Sequence, residues 1–202
     1  SKLDIYEVDL SGAARVLSSL DIPPTMIHDF AATPKHLVFF ISPLRLDLVR
    51  ALVGLGGYDR NLRWQPQEGT EVVVVPREAP DKPWRFRCEP FFQWHFVNAY
   101  DEGDDVVVDF VRYPDFETNE WLREVHRGEP LREAFGVLER ATITPRARAI
   151  RFETRLADSV EFPAIAPRCA GHSHRYVYLA AHRDLGAVRE GLQDVLLKVD
   201  ME

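Results

Sequence analysis

Seven histidines are the side chains of this chain best suited to chemistry: His28, His36, His95, His126, His172, His174 and His182. Imidazole titrates near neutral pH, and its neutral nitrogens are good metal donors. No two of the seven form HExxH or another close helical pair, so the local signatures of zinc proteases are absent. His126, in EVHRGEP, reads as a solvated loop residue, and His182 is similar. His36, His172 and His174 fall at strand starts or turns, where a polar edge residue is the ordinary reading. His28 and His95 stand apart. His28 lies in MIHDFAAT, directly ahead of the apolar run HLVFFI, and His95 lies in the aromatic stretch FFQWHFVNA. A strand alternates its side chains, so Phe91, Gln93, His95, Val97 and Ala99 are expected on one face, and Phe92, Trp94, Phe96 and Asn98 on the other. An imidazole buried among aromatics costs free energy unless both nitrogens find partners. A metal on one nitrogen and a carboxylate or carbonyl on the other would satisfy both. The residues alone leave packing, proton transfer and metal ligation open for His28 and His95.

The elements that must carry these rings are mostly strands. Runs rich in Val, Phe, Tyr and Ile predict strands at residues 3–8, 36–41, 71–75, 91–100, 105–113, 147–154, 176–180 and 195–199. Between two of them, DEGDD offers Gly103 for the positive φ of a tight hairpin. Helical periodicity is confined to residues 44–55 and 117–126, and 14 prolines punctuate the remainder. Many short strands with little helix imply an all-β sandwich, barrel or propeller, and no Gly/Ser tract divides residues 1–202, which read as a single β-rich domain.

Composition narrows the function classes. The 25 Lys and Arg against 32 Asp and Glu give a net charge of −7, which excludes a phosphate-binding nucleic-acid partner and lends no attraction to an anionic membrane. A peripheral membrane contact therefore has no support at this level. Cys88 and Cys169 show no CxxC spacing, and with no signal-peptide pattern in SKLDIYEVDL they predict a reducing, cytoplasmic setting.

Several segments together resemble the carotenoid cleavage oxygenase family, which includes carotenoid and lignostilbene dioxygenases and the retinal-pigment-epithelium isomerohydrolase. They are MIHDFAATPKHLVFFISPL, FFQWHFVNAYDEGDDVVVDFVRY, VEFPAIAPRCAGHSHRYVYLAA and LLKVDME, in the family's order. The resemblance implies about three to four blades of a seven-bladed β-propeller, the central segment of a parent about twice this length or more. It implies Fe(2+) on the propeller axis, held by four histidines from different blades, with glutamates orienting several of the rings. Carried over residue by residue, His28 and His95 match two metal ligands and Glu161 matches an orienting glutamate. The other two histidines find no match here and are expected in the rest of the parent chain. Phe91, Phe92, Trp94 and Phe96 are candidates for an apolar substrate tunnel, and Asp29 for a turn residue that holds backbone. The implied reaction is oxidative cleavage of a carbon–carbon double bond in a carotenoid, apocarotenoid or stilbenoid with O2. Such chemistry needs a redox-active metal, which zinc is not. Two alternatives stand beside it: a non-catalytic truncated propeller used for binding, and a different non-haem iron site with Asp29 as a third donor.

Overall fold

The computed structural model describes residues 1–128, 134–190 and 193–202. β1 (Lys2–Val8) and β2 (Ala14–Asp21) form an antiparallel hairpin. β3 (Ala31–Ala32) and β4 (His36–Ile41) begin the second sheet. The chain then leaves that sheet for a small hairpin of β5 (Leu44–Leu46) and β6 (Leu62–Trp64), whose connection carries α1 (Leu48–Leu52). It returns through β7 (Thr70–Pro76) and β8 (Trp84–Cys88), giving the strand order β3-β4-β7-β8. The third sheet is a four-stranded meander of β9 (Phe96–Glu102), β10 (Asp105–Arg112), β11 (Val137–Thr144) and β12 (Ala149–Leu156). α2 (Thr118–His126) sits in the connection between β10 and β11. β13 (Val160–Ala164), β14 (Tyr176–Ala181) and β15 (Val195–Asp200) form the last sheet, with α3 (Leu185–Glu190) between the final two.

An apolar layer lies between each sheet and the next, which is the arrangement of propeller blades. Ile5 and Leu20 meet Phe39, Val73 and Val75 in the first layer. Phe40, Val72 and Val74 meet Val106, Val108, Phe110 and Ile143 in the second. Val111, Tyr113 and Leu138 meet Val160, Val177 and Leu179 in the third. Alternate residues of β4 and β7 thus belong to different layers. That is why HLVFFI and VVVV are unbroken apolar runs: a strand buried on both faces has no solvent side to keep polar.

Several expectations change here. Residues 44–55 do not form one helix: Leu44 and Leu46 alternate inward and pair with Trp64 and Leu62, and α1 begins only after Asp47, whose side chain caps it. The strand expected over residues 91–100 pairs regularly only from Phe96; before it a single bridge joins Phe92 to Tyr113. Residues 93–95 between them are irregular, with a bend at Trp94, which breaks the alternation, so Phe91 and Phe96 share the second layer although opposite faces were expected. The hairpin at Gly103 forms as read, with φ +62°.

Gly136 marks a close approach within the third layer. A Cβ there would lie 2.6 Å from Val111 Cγ1, 2.7 Å from the Tyr113 ring and 2.8 Å from the Val160 carbonyl. Gly136→Ala therefore overpacks the third layer and should lower stability by about 1–3 kcal/mol, read as a reduced denaturation midpoint. An unchanged midpoint would show that the layer yields freely at this point.

Candidate metal centre

His28 belongs to the irregular segment between β2 and β3, and His95 is the residue immediately before β9. The fold brings them together. Their ring centroids are 5.3 Å apart with planes at 79°, and Trp94 packs edge-on against His28 at 5.1 Å. One carboxylate holds the two segments in this relation. Asp29 Oδ1 accepts the Phe30 N–H at 2.8 Å, and Oδ2 accepts the Phe96 N–H at 2.8 Å. The residue after His95 is therefore tied to the side chain of the residue after His28. Asp29 acts as a backbone anchor with both oxygens engaged.

Glu161 orders the second ring. It is 5% exposed, and its Oε2 lies 2.6 Å from His95 Nδ1. An ionised carboxylate only accepts, so Nδ1 bears the proton and Nε2 is left as the free donor. The Phe162 N–H also donates to Oε2, and the Tyr113 hydroxyl donates to Oε1 at 3.2 Å. Phe162 adopts φ +52°, left-handed backbone that a residue with a bulky side chain rarely takes, directly ahead of Pro163. Its ring is 60% exposed and lies 5.5 Å from His95. The hydrogen bond to Glu161 raises the His95 pKa above its ordinary 6.5; burial opposes this, and the charges of Glu161 and Asp29 add to it. Burial, with the Glu161 charge behind it, keeps Tyr113 protonated, its pKa well above the ordinary phenol range.

Both imidazoles open onto a cavity of about 280 Å³ walled by Trp94, Tyr113, Thr118, Trp121, Leu122, Glu161, Phe162 and Gln193. Of the four aromatics expected to line a tunnel, Trp94 does so. Phe91 and Phe92 are 0% and 2% exposed within the second and third layers, and Phe96 packs on Phe40 in the second layer. The burial that makes FFQWHF aromatic here is blade packing. The cavity's other aromatics, Tyr113, Trp121 and Phe162, went unassigned in the sequence. Trp121 was visible only as one apolar position of the helical pattern at residues 117–126, and Phe162 only as the middle of Glu-Phe-Pro.

The remaining histidines lie elsewhere. His36 pairs with Asp101 at 2.7 Å. His174 lies just ahead of β14, as read, but buried: its side chain is 1% exposed, with Nδ1 3.1 Å from Asn98 Nδ2 and Nε2 3.4 Å from buried Asp109. Burial lowers its pKa. His182 was expected to be solvated, yet both ring nitrogens are shielded from water. His172 lends its carbonyl to Asn98, and exposed His126 closes α2 instead of lying in a loop. Among the described residues, no group of three or more His, Cys, Asp or Glu converges to hold a metal. His28 and His95, one with its free nitrogen fixed by Glu161, thus fit one side of a metal coordination sphere and would need further donors to complete it.

A family model described as retinal pigment epithelial membrane protein matches residues 1–202. The apocarotenoid-15,15'-oxygenase of Synechocystis sp. is 30% identical over all of this chain and 41% of its own length. Resveratrol cleavage oxygenase 1 of Aspergillus fumigatus is 28% identical over 86% of this chain and 35% of its own. Solved structures of the Synechocystis apocarotenoid oxygenase superpose at 26% identity. A point variant gives a TM-score of 0.82 over 100% of this chain and 42% of that one. A cobalt-substituted form gives 0.81 over 98% and 41%. The chain therefore spans about two fifths of the length of the relatives it matches.

Two outcomes follow from the geometry. Without metal, the raised pKa of His95 makes its pairing with Glu161 stabilising below pH 6.5, with the contribution lost as pH rises through the folded-state value. Denaturation midpoints of metal-free protein should fall across that window in the wild type and fall less in Glu161→Gln; equal slopes would contradict the pairing. Asp29→Ala removes the acceptor of two backbone N–H groups and should cost about 1–3 kcal/mol, with amide exchange accelerating at Phe30 and Phe96. Unaltered exchange there would show that the anchor is dispensable.

Proposed function

Because the chain belongs to the family of the retinal pigment epithelial membrane protein and the carotenoid oxygenases, we propose that its parent is a non-haem iron dioxygenase. On this reading it uses Fe(2+) and O2 to split a carbon–carbon double bond in an apolar carotenoid, apocarotenoid or stilbenoid. The observation that carries the proposal is the meeting of His28 and His95 at one apolar cavity, with Glu161 on the far nitrogen of His95. The fold is a portion of the seven-bladed propeller of the apocarotenoid oxygenase it superposes on.

Fe(2+), when bound, would supply the redox chemistry that activates dioxygen beside the alkene. The chain's own residues do the rest. His28 and His95 are neutral donors, so they leave the ion its full charge. Glu161 holds the proton on Nδ1 of His95 and fixes that ring's direction, as outer carboxylates do for metal-bound imidazoles. Asp29 keeps the His28 segment against the start of β9. Trp94, Trp121, Leu122 and Phe162 supply apolar walls that suit an uncharged substrate. The other two donors would come from parts of the parent beyond these residues, since relatives are more than twice as long. A cytoplasmic location is proposed on the strength of two free thiols, Cys88 and Cys169. A peripheral membrane contact would fall on exposed Leu48, Val49, Leu52 and Val53.

One observation favours a second reading, a propeller portion that binds without catalysis: no third donor joins the pair among the described residues. Reconstituting the parent protein anaerobically with Fe(2+) and assaying apocarotenoid and stilbenoid cleavage separates the two. The dioxygenase reading expects product from the wild type, none from His28→Ala or His95→Ala, and about a 10–100-fold loss in Glu161→Gln. Full activity in His95→Ala would overturn it. A wild-type protein that retains no iron and forms no product would favour the binding reading.

A further inference from the structure

We infer that Tyr113 and Thr118 are positioning residues that set both imidazoles through one directional chain of hydrogen bonds, running Trp94, Thr118, Tyr113, Glu161, His95. The inference rests on the reading that His28 and His95 bind the metal.

The ends of the chain dictate its direction. Trp94 Nε1 can only donate, and it donates to Thr118 Oγ1 at 3.1 Å. The Glu161 carboxylate can only accept, and it accepts from the Tyr113 hydroxyl at 3.2 Å and from His95 Nδ1 at 2.6 Å. Between them stand two hydroxyls with one proton each. Tyr113 has directed its proton to Glu161, so its oxygen is open as an acceptor. Thr118 has accepted from Trp94, so its own proton is free to be given. The two side chains line the same cavity, and a hydrogen bond from Thr118 restrains the rise of the Tyr113 pKa. Thr118 and Tyr113 are 3% and 5% exposed, so water does not compete for these groups.

Both rings are reached by this chain. At one end Glu161 orients His95. At the other, Thr118 fixes the indole of Trp94, whose edge-on contact at 5.1 Å supports His28. Thr118 is the first residue of α2, the helix whose Trp121 and Leu122 wall the cavity. The cavity wall and the donor pair are thereby one hydrogen-bonded unit.

The test is Co(2+) affinity and the visible absorption of bound Co(2+), measured on the parent protein with Tyr113→Phe, Thr118→Val, Thr118→Ser and the double variant Tyr113→Phe/Thr118→Val. Each single loss of a hydroxyl should weaken binding about tenfold, the low end for an outer partner of a ligating imidazole, and shift the absorption bands. Thr118→Ser should restore wild-type binding. The double variant should lose no more than the worse single one, because members of one chain are not additive. Recording each denaturation midpoint and titrating far below it separates positioning from unfolding. The inference is overturned if both single variants bind Co(2+) as the wild type does while His95→Ala does not, or if the two losses add. Wild-type binding in His95→Ala would overturn the metal reading itself and this inference with it.

Discussion

A carboxylate has nothing to offer but acceptors, and at Glu161 that restriction organises the site. Its oxygens receive the Nδ1 proton of His95, the Tyr113 hydroxyl and the N–H of Phe162. Three donors thus converge on one buried side chain. They also leave His95 a single tautomer with Nε2 directed away from the pair. The left-handed backbone of Phe162, φ +52°, sits at the same point, directly after the carboxylate that its amide meets. Ring direction and tautomer are thus settled together by one side chain at the start of the last sheet.

Everything else serves to bring Glu161, His95 and His28 into range. They come from three places: the edge of the last sheet, the entry to the third, and the segment leading into the second. Only the layered packing of those sheets keeps them in register. The third layer, with Tyr113, Val111, Val160 and Leu179, fixes Glu161 relative to His95. Asp29 performs the same task for His28 by reaching across to the Phe96 amide. A donor pair built from segments about seventy residues apart depends on long-range burial far more than on any local motif.

This explains what was legible in the sequence. HLVFFI, VVVV and the hairpin around Gly103 were readable because their burial pattern is local. His28, His95 and Glu161 were singled out by likeness to a family's segments, while periodicity alone left both rings ambiguous. The errors share a cause in tertiary context. The aromatics of FFQWHF were assigned to a tunnel, but Phe91 and Phe92 fill the spaces between sheets, and only the layer geometry distinguishes those roles. Residues 44–55 were read as helical, although Leu44 and Leu46 alternate with period two and find strand partners in Leu62 and Trp64. His174 read as an edge or turn residue and His182 as a solvated one because nothing local shows that Asp109, Asn98 and Ser159 lie around them. Tyr113 and Thr118 could not be read at all, since their importance lies in partners far along the chain.

The most direct test of the central claim is proton NMR of the Co(2+)-loaded parent protein, where each coordinated imidazole contributes a strongly shifted, exchangeable N–H resonance. The account predicts one such resonance that disappears in His95→Ala and exchanges faster in Glu161→Gln, and a second that disappears in His28→Ala. A spectrum indifferent to both histidine replacements would contradict it.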